Sequence, residues 1–206
     1  MSTQFDGLLA STTNVSERRF RAAEHYIFEE MKRNYDSDVV KGIHQLNSKP
    51  KWWEVWRYAD GLEDANALGR WALKVRTNGD WDHKPKLREM FGIPQEGGGD
   101  LDYFQYPGTD KRVYLDIYSN IHYGYVGKAA GFDDQTLMRG ANSDTAGTGT
   151  GDPGDDITMK AGMDMWDKYG ANMTEEQFHG AVAETVQQMV QAQADGKDIP
   201  QIRDMP

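Results

Sequence analysis

Apolar residues recur at helical spacing along most of the chain and fit a strand-turn-strand pattern only once. Phe20, Ala23, Ile27 and Met31 form one stripe and predict a helix capped by Ser16 and running to about Arg33. Ser37 is placed to cap a shorter helix through Val40, Ile43 and Leu46, which Pro50 ends. Trp52, Trp53 and Trp56 follow as a compact aromatic cluster. Leu68, Trp71, Ala72 and Val75 share the stripe of a third helix, about 62–75, and Asn78-Gly79 stops it. That leaves Trp81-Asp82-His83-Lys84-Pro85 for a loop, with a glycine hinge or insertion at 97–99. Tyr103 to Tyr106 and Arg112 to Asp116 flank Pro107-Gly108-Thr109-Asp110 and predict a β-hairpin.

Further helices are expected after Asp116, after a cap at Asp133, and from about Ile157 to Tyr169. Thr174 and Gln177 form a capping box that opens a last helix, ending near Gln193. Residues 140–156, rich in Gly, Ser, Thr and Asp, read as a mobile loop. The sum is an α+β fold, mainly helical, with one small β-hairpin. Its expected organisation is a polar lead over 1–14, a domain over 15–170, a C-terminal helix over 171–196 packed on it, and a tail over 197–206.

Composition narrows the functions. The chain has 206 residues and a formal charge of -10, so its overall field repels polyphosphate and argues against steering to nucleic acid. It has no cysteine, which excludes disulfides, thiolate metal sites and cysteine nucleophiles. No window is apolar enough to span or insert into a membrane, and no signal peptide is visible, so action outside the cell would require a separate delivery system or a signal already removed. Phosphate loops, dinucleotide fingerprints, Gly-x-Ser-x-Gly and zincin motifs are all missing, and no cofactor is expected.

The chemistry concentrates between Asp116 and Gly131. Asp116 and Asn120 lie one helical turn apart and face the same way, while His122 lies further round the helix. As a site, the carboxylate and amide would orient substrate or water, with His122 as base or hydrogen-bond donor. The plainer alternative makes Asp116 a cap, Asn120 the partner of a buried turn and His122 a core residue. Gly124, Gly127, Ala129, Ala130 and Gly131 would let another backbone approach closely.

Trp81-Asp82-His83-Lys84 offers a second carboxylate and imidazole, or a solvated turn anchored by Trp81. Glu30 stands near the negative end of its helix and beside Phe28 and Met31, a setting that suits a proton donor for glycosidic cleavage. Its alternative is a surface pair with Arg33. Asp152, Asp155 and Asp156 fit no EF-hand spacing and read as a solvated turn, so no metal site is assigned. His25, His44 and His179 read as structural or exposed.

Three segments together carry a resemblance. They are Glu30-Met31-Lys32-x-Asn34, Trp81-Asp82-His83-Lys84-Pro85, and Asp116 to Gly127 with Ala129-Ala130-Gly131-Phe132. In order and spacing, with the Asp152-Pro153 loop behind them, they resemble the polymorphic toxin type 44 family over about Ser16 to Tyr169. The resemblance implies a hydrolytic effector acting on another cell, secreted or delivered to the target cell envelope, with an immunity protein as a further partner.

Glu30 at a helix end ahead of a hairpin also gives the chain a lysozyme-like layout. The leading expectation is therefore a muramidase-like glycoside hydrolase acting on peptidoglycan glycan strands. Glu30 would protonate the glycosidic oxygen, and Asp116 or Asp82 would stabilise the developing cation or activate water. Asn120, His122 and Tyr123 would orient the sugar, with His83 and Lys84 alongside, and Trp81 and Tyr125 would stack on it. One alternative is a nuclease toxin using His83 and His122 as base and acid and Lys84 on phosphate. Another is a helical interaction protein with no catalysis.

Overall fold

The computed structural model describes residues 2–48, 62–141 and 152–206, with side chains described over 15–48, 67–141 and 152–206. Eight α-helices lie among these residues: α1 (Ser2–Tyr35), α2 (Asp38–Asn47), α3 (Leu62–Val75), α4 (His83–Phe91), α5 (Ile117–Ala129), α6 (Asp134–Ala141), α7 (Pro153–Tyr169) and α8 (Glu175–Ala194). Strands β1 (Tyr103–Gln105), β2 (Lys111–Tyr114) and β3 (Ile202–Asp204) form one antiparallel sheet in the order β1-β2-β3. The fold is thus α+β and mainly helical. Among the described residues no helix is long and apolar enough to cross a membrane.

Several caps work as their sequences predict. The Ser37 side chain accepts the Val40 N–H, Asp133 accepts the Thr136 N–H at 2.7 Å, and Thr174 and Gln177 close a reciprocal box at the start of α8. Ser16 does not cap α1, which already runs from Ser2; its hydroxyl instead accepts the Gln105 N–H at 2.8 Å and ties α1 to β1.

Three stretches expected to be irregular are ordered. Asp82 caps a helix where a loop was expected, because Pro85 falls in the first turn, where its missing N–H has no helical partner to lose. Asp152-Pro-Gly-Asp155 is the capped first turn of α7, not a solvated loop. Within the tail, Ile202 to Asp204 pair with β2. The Trp52–Trp56 cluster and residues 142–151 lie outside the described residues.

Two glycines set the centre of the packing. A Cβ on Gly124 of α5 would stand 2.1 Å from the Met159 carbonyl oxygen, and one on Gly162 of α7 would stand 2.1 Å from that of Ile121. The two backbones therefore touch, and α5 is buried on most of its circumference between α7 and α1. Around it Phe20, Ile27, Met31 and Ile43 meet Leu87, Phe104, Val126 and Met163 in one core. Helix α8 is fixed to α1 by His25 with Glu175 at 2.7 Å and by His179 with Glu24 at 3.1 Å. Burial pushes the Glu24 carboxyl up, and Arg21 and His179 oppose that shift.

Candidate functional site

Helices α3, α5 and α7 and the first turn of α4 enclose a cavity of about 510 Å³. From α5 it receives Asp116, Ser119, Asn120 and Tyr123, the i, i+3, i+4 and i+7 positions of one helix face. From α7 come Asp155 and Met159, from the start of α4 come Asp82 and Lys84, and α3 supplies an apolar wall of Leu68, Trp71, Ala72 and Val75.

Asp116 sits at the N-cap position of α5 yet makes no side-chain cap, and its Oδ1 is buried without a hydrogen-bond partner. Burial pushes its carboxyl well above the usual range; Asp155 pushes the same way and Lys84 opposes. Asp155 is treated differently. Its Oδ1 accepts from Asn120 Nδ2 at 2.8 Å and Gln201 Nε2 at 3.1 Å, and its Oδ2 accepts the Asp152 N–H at 3.4 Å. Burial and then Asp152 raise its carboxyl, but the donated hydrogen bonds and Lys84 pull it back. One cavity thus holds a carboxyl lacking donors on Oδ1 beside another, also raised by burial, whose oxygens accept several hydrogen bonds that favour its ionised form, an asymmetry of the kind that separates an acid from a base.

Other expected site residues lie elsewhere or are engaged. Asp82 lines the cavity, but its oxygens accept the Asn78 N–H at 2.9 Å and the Lys84 N–H at 3.2 Å as a helix cap. Glu30 is not in the cavity lining; it is 6% exposed, ion-paired to Arg33, and accepts from Asn34 Nδ2 at 3.4 Å.

His122 occupies the opposite side of α5 from Asn120. Asn34 Nδ2 donates to its Nε2 at 2.9 Å, and its ring meets that of His83 edge-on at 4.3 Å. Both imidazoles are 0% exposed. Burial and the Lys86 charge push His83 down to about 3, and burial, His83 and Lys86 push His122 well below its ordinary value. Neutral, sealed imidazoles have no route to a phosphate.

The aromatics also change places. Trp81 packs against Trp71 and His122, and Tyr125 packs against Tyr35 and Trp166 while its hydroxyl donates to the Gly170 carbonyl at 2.7 Å. Neither lines the cavity. Trp71 and Tyr123 do, with ring centroids 5.4 Å apart; the Tyr123 hydroxyl donates to the Leu137 carbonyl at 2.9 Å, and burial pushes its phenol up to about 12.

Asp155 and Trp71 are among the cavity residues that sequence reasoning left out of the site. A signal for Asp155 existed: an aspartate, a proline and a second aspartate at cap, first and third helical positions announce a helix start rather than a turn. Among the described residues no group of three or more His, Asp or Glu side chains is placed to hold a metal ion.

The model of the bacterial toxin 44 family matches residues 70–168, and that segment is similar to the toxin domains of that family. The matched segment includes Asp82, Lys84, Asp116, Asn120, Tyr123 and Asp155, and leaves Glu30 outside. No curated protein and no solved structure matches the chain.

Proposed function

We propose that the protein is a muramidase-type glycoside hydrolase that cleaves the glycan strands of peptidoglycan in the envelope of a target bacterium. Asp116 is the general acid, giving its proton to the glycosidic oxygen as the bond to the leaving sugar breaks. Asp155 is the partner carboxylate, stabilising the oxocarbenium-like transition state in its ionised form while water adds to the anomeric carbon, and the proton that water releases restores the Asp116 acid. Asn120 orients Asp155, and Trp71 and Tyr123 offer an aromatic face to the sugar. The observation that carries this reading is the buried Asp116 carboxyl, unpartnered at Oδ1, in one cavity with the well-donated Asp155. The role first expected of Glu30 passes to Asp116. The net charge of -10 fits a glycan better than a polyphosphate.

The test uses purified sacculi in one arm and total RNA and plasmid in another, reading turbidity and newly released reducing ends. Wild-type protein clears sacculi and leaves nucleic acid intact. Asp116→Asn and Asp155→Asn each slow release by about 100-fold or more, whereas Glu30→Gln keeps at least about a tenth of the activity. Degraded RNA with untouched sacculi would sink the proposal.

A further inference from the structure

The carboxylates of the α7 first turn are held by a residue from the far end of the chain. Gln201 is 2% exposed and adjoins β3, where its carbonyl accepts the Tyr114 N–H at 2.9 Å. Its Nε2 stands 3.0 Å from both Asp152 carboxylate oxygens and 3.1 Å from Asp155 Oδ1. One amide nitrogen therefore serves three oxygens on two acids that otherwise repel each other across a single helical turn.

Two further observations indicate a built arrangement. Between the two acids, Gly154 leaves the room the amide occupies: a Cβ there would stand 2.0 Å from Gln201 Oε1 and 2.6 Å from its Cδ. Gln201 Oε1 is itself buried without a partner, so the amide is turned to serve the carboxylates at the expense of its own oxygen.

We infer that Gln201 is a positioning residue of the site, a clamp from outside the family-matched segment that fixes Asp152 and Asp155 for the glycosidase role on which this inference rests. The tail does not depend on this side chain for its docking. The Tyr103 hydroxyl donates to the Pro200 carbonyl at 2.9 Å, Gln193 Nε2 donates to the Ile199 and Ile202 carbonyls at 3.3 and 3.0 Å, and β3 pairs with β2. Replacing the Gln201 amide therefore removes the clamp and leaves the strand.

The test is Gln201→Met in the full chain, with two readouts. Carbon-13 NMR titration of the Asp155 carboxyl needs no substrate; loss of a donor to the ionised form moves its midpoint up by roughly one unit. On sacculi, the acid limb of the kcat/KM profile moves up with it, so activity falls several-fold on that limb and less at the optimum. An Asp155 midpoint that stays put, with only a lowered Tm, overturns the inference and leaves Gln201 a structural residue. A shifted midpoint in a protein inert on sacculi supports the clamp and tells against the glycosidase reading instead. Should Gln201→Met fail to fold, Gly154→Ala, whose methyl group presses on the same amide, provides the same titration.

Discussion

Asn120 Nδ2 stands 2.8 Å from Asp155 Oδ1 and joins α5 to the first turn of α7 across 35 positions of chain. Asn120 also lies one helical turn after Asp116, so a single face of α5 carries both the acid and the group that holds its partner. Asp155 is given donors; the Asp116 Oδ1 is given none. The proposed division of roles rests on that difference in hydrogen bonding rather than on residue type, since both groups are aspartates.

Asp116→Asn separates activity from stability. Its folded-state carboxyl is raised well above the unfolded value of 3.8, so at pH values between the two the native protein holds a proton that the unfolded chain has released. Such a group favours the fold below pH 3.8, and that contribution is lost as pH rises through the window up to its folded value. The asparagine variant escapes the penalty. Its Tm should exceed wild type at pH 7 and converge with it below pH 4, while glycan cleavage falls about 100- to 10,000-fold. A Tm equal to wild type at both pH values would refute the neutral, buried carboxyl.

Much of this was legible wherever the deciding information was local. The stripe of Phe20, Ala23, Ile27 and Met31 and the caps Ser37 and Thr174 need only neighbours within two turns, and each predicted its helix. Strand β3 was hidden because its partners are remote: Asp204 pairs with Lys111, and three residues carry no pattern of their own. Asp116 and Asn120 were visible at helical spacing, but their link to Asp155 arises only when α5 and α7 meet. The exchange of Tyr125 for Trp71 has a different cause: helical spacing already sets Tyr123 on the Asp116 face and Tyr125 opposite it, toward Trp166, whereas Trp71 reaches the cavity from a separate helix.

That exchange can be measured. Tyr125→Phe removes one buried hydroxyl donating to the Gly170 carbonyl and should cost about 1 kcal/mol of stability with KM for glycan unchanged. Tyr123→Leu removes a ring lining the cavity and should raise KM roughly two- to tenfold. Reversed effects would return Tyr125 to the site.

The contact of α5 with α7 sets the geometry of both acids, so small additions there should act on fold and site together. Gly162→Ala places a methyl group against the Ile121 carbonyl, and also within 2.9 Å of the Tyr125 nitrogen. Backbone cannot yield as a flexible side chain can, and a destabilisation of about 1–3 kcal/mol or more is expected, with a parallel loss of cleavage as Asn120 parts from Asp155. Gly180→Ala is the control, because a Cβ at that position of α8 meets nothing within 4 Å. It should raise stability by about 0.5–1 kcal/mol. Urea unfolding of the two variants distinguishes close packing from glycine's general effect on helices.

The sealed imidazoles predict acid sensitivity of the opposite sign to Asp116. His83 has its folded value near 3 against an ordinary 6.5, so between those pH values the unfolded chain binds a proton that the native protein refuses. Stability then falls as pH drops below 6.5, and His122, also pushed down by burial, adds in the same direction. From pH 7 to pH 5 the His83 contribution alone amounts to about 2 kcal/mol. Asp116 opposes this loss only by regaining its proton, so the measurement belongs in an Asp116→Asn background. There, His83→Phe should flatten the decline in unfolding free energy between pH 7 and pH 5 by about that amount, with the edge-on contact to His122 kept by the phenyl ring. A decline as steep as in the parent would mean that His83 takes up its proton inside the folded protein.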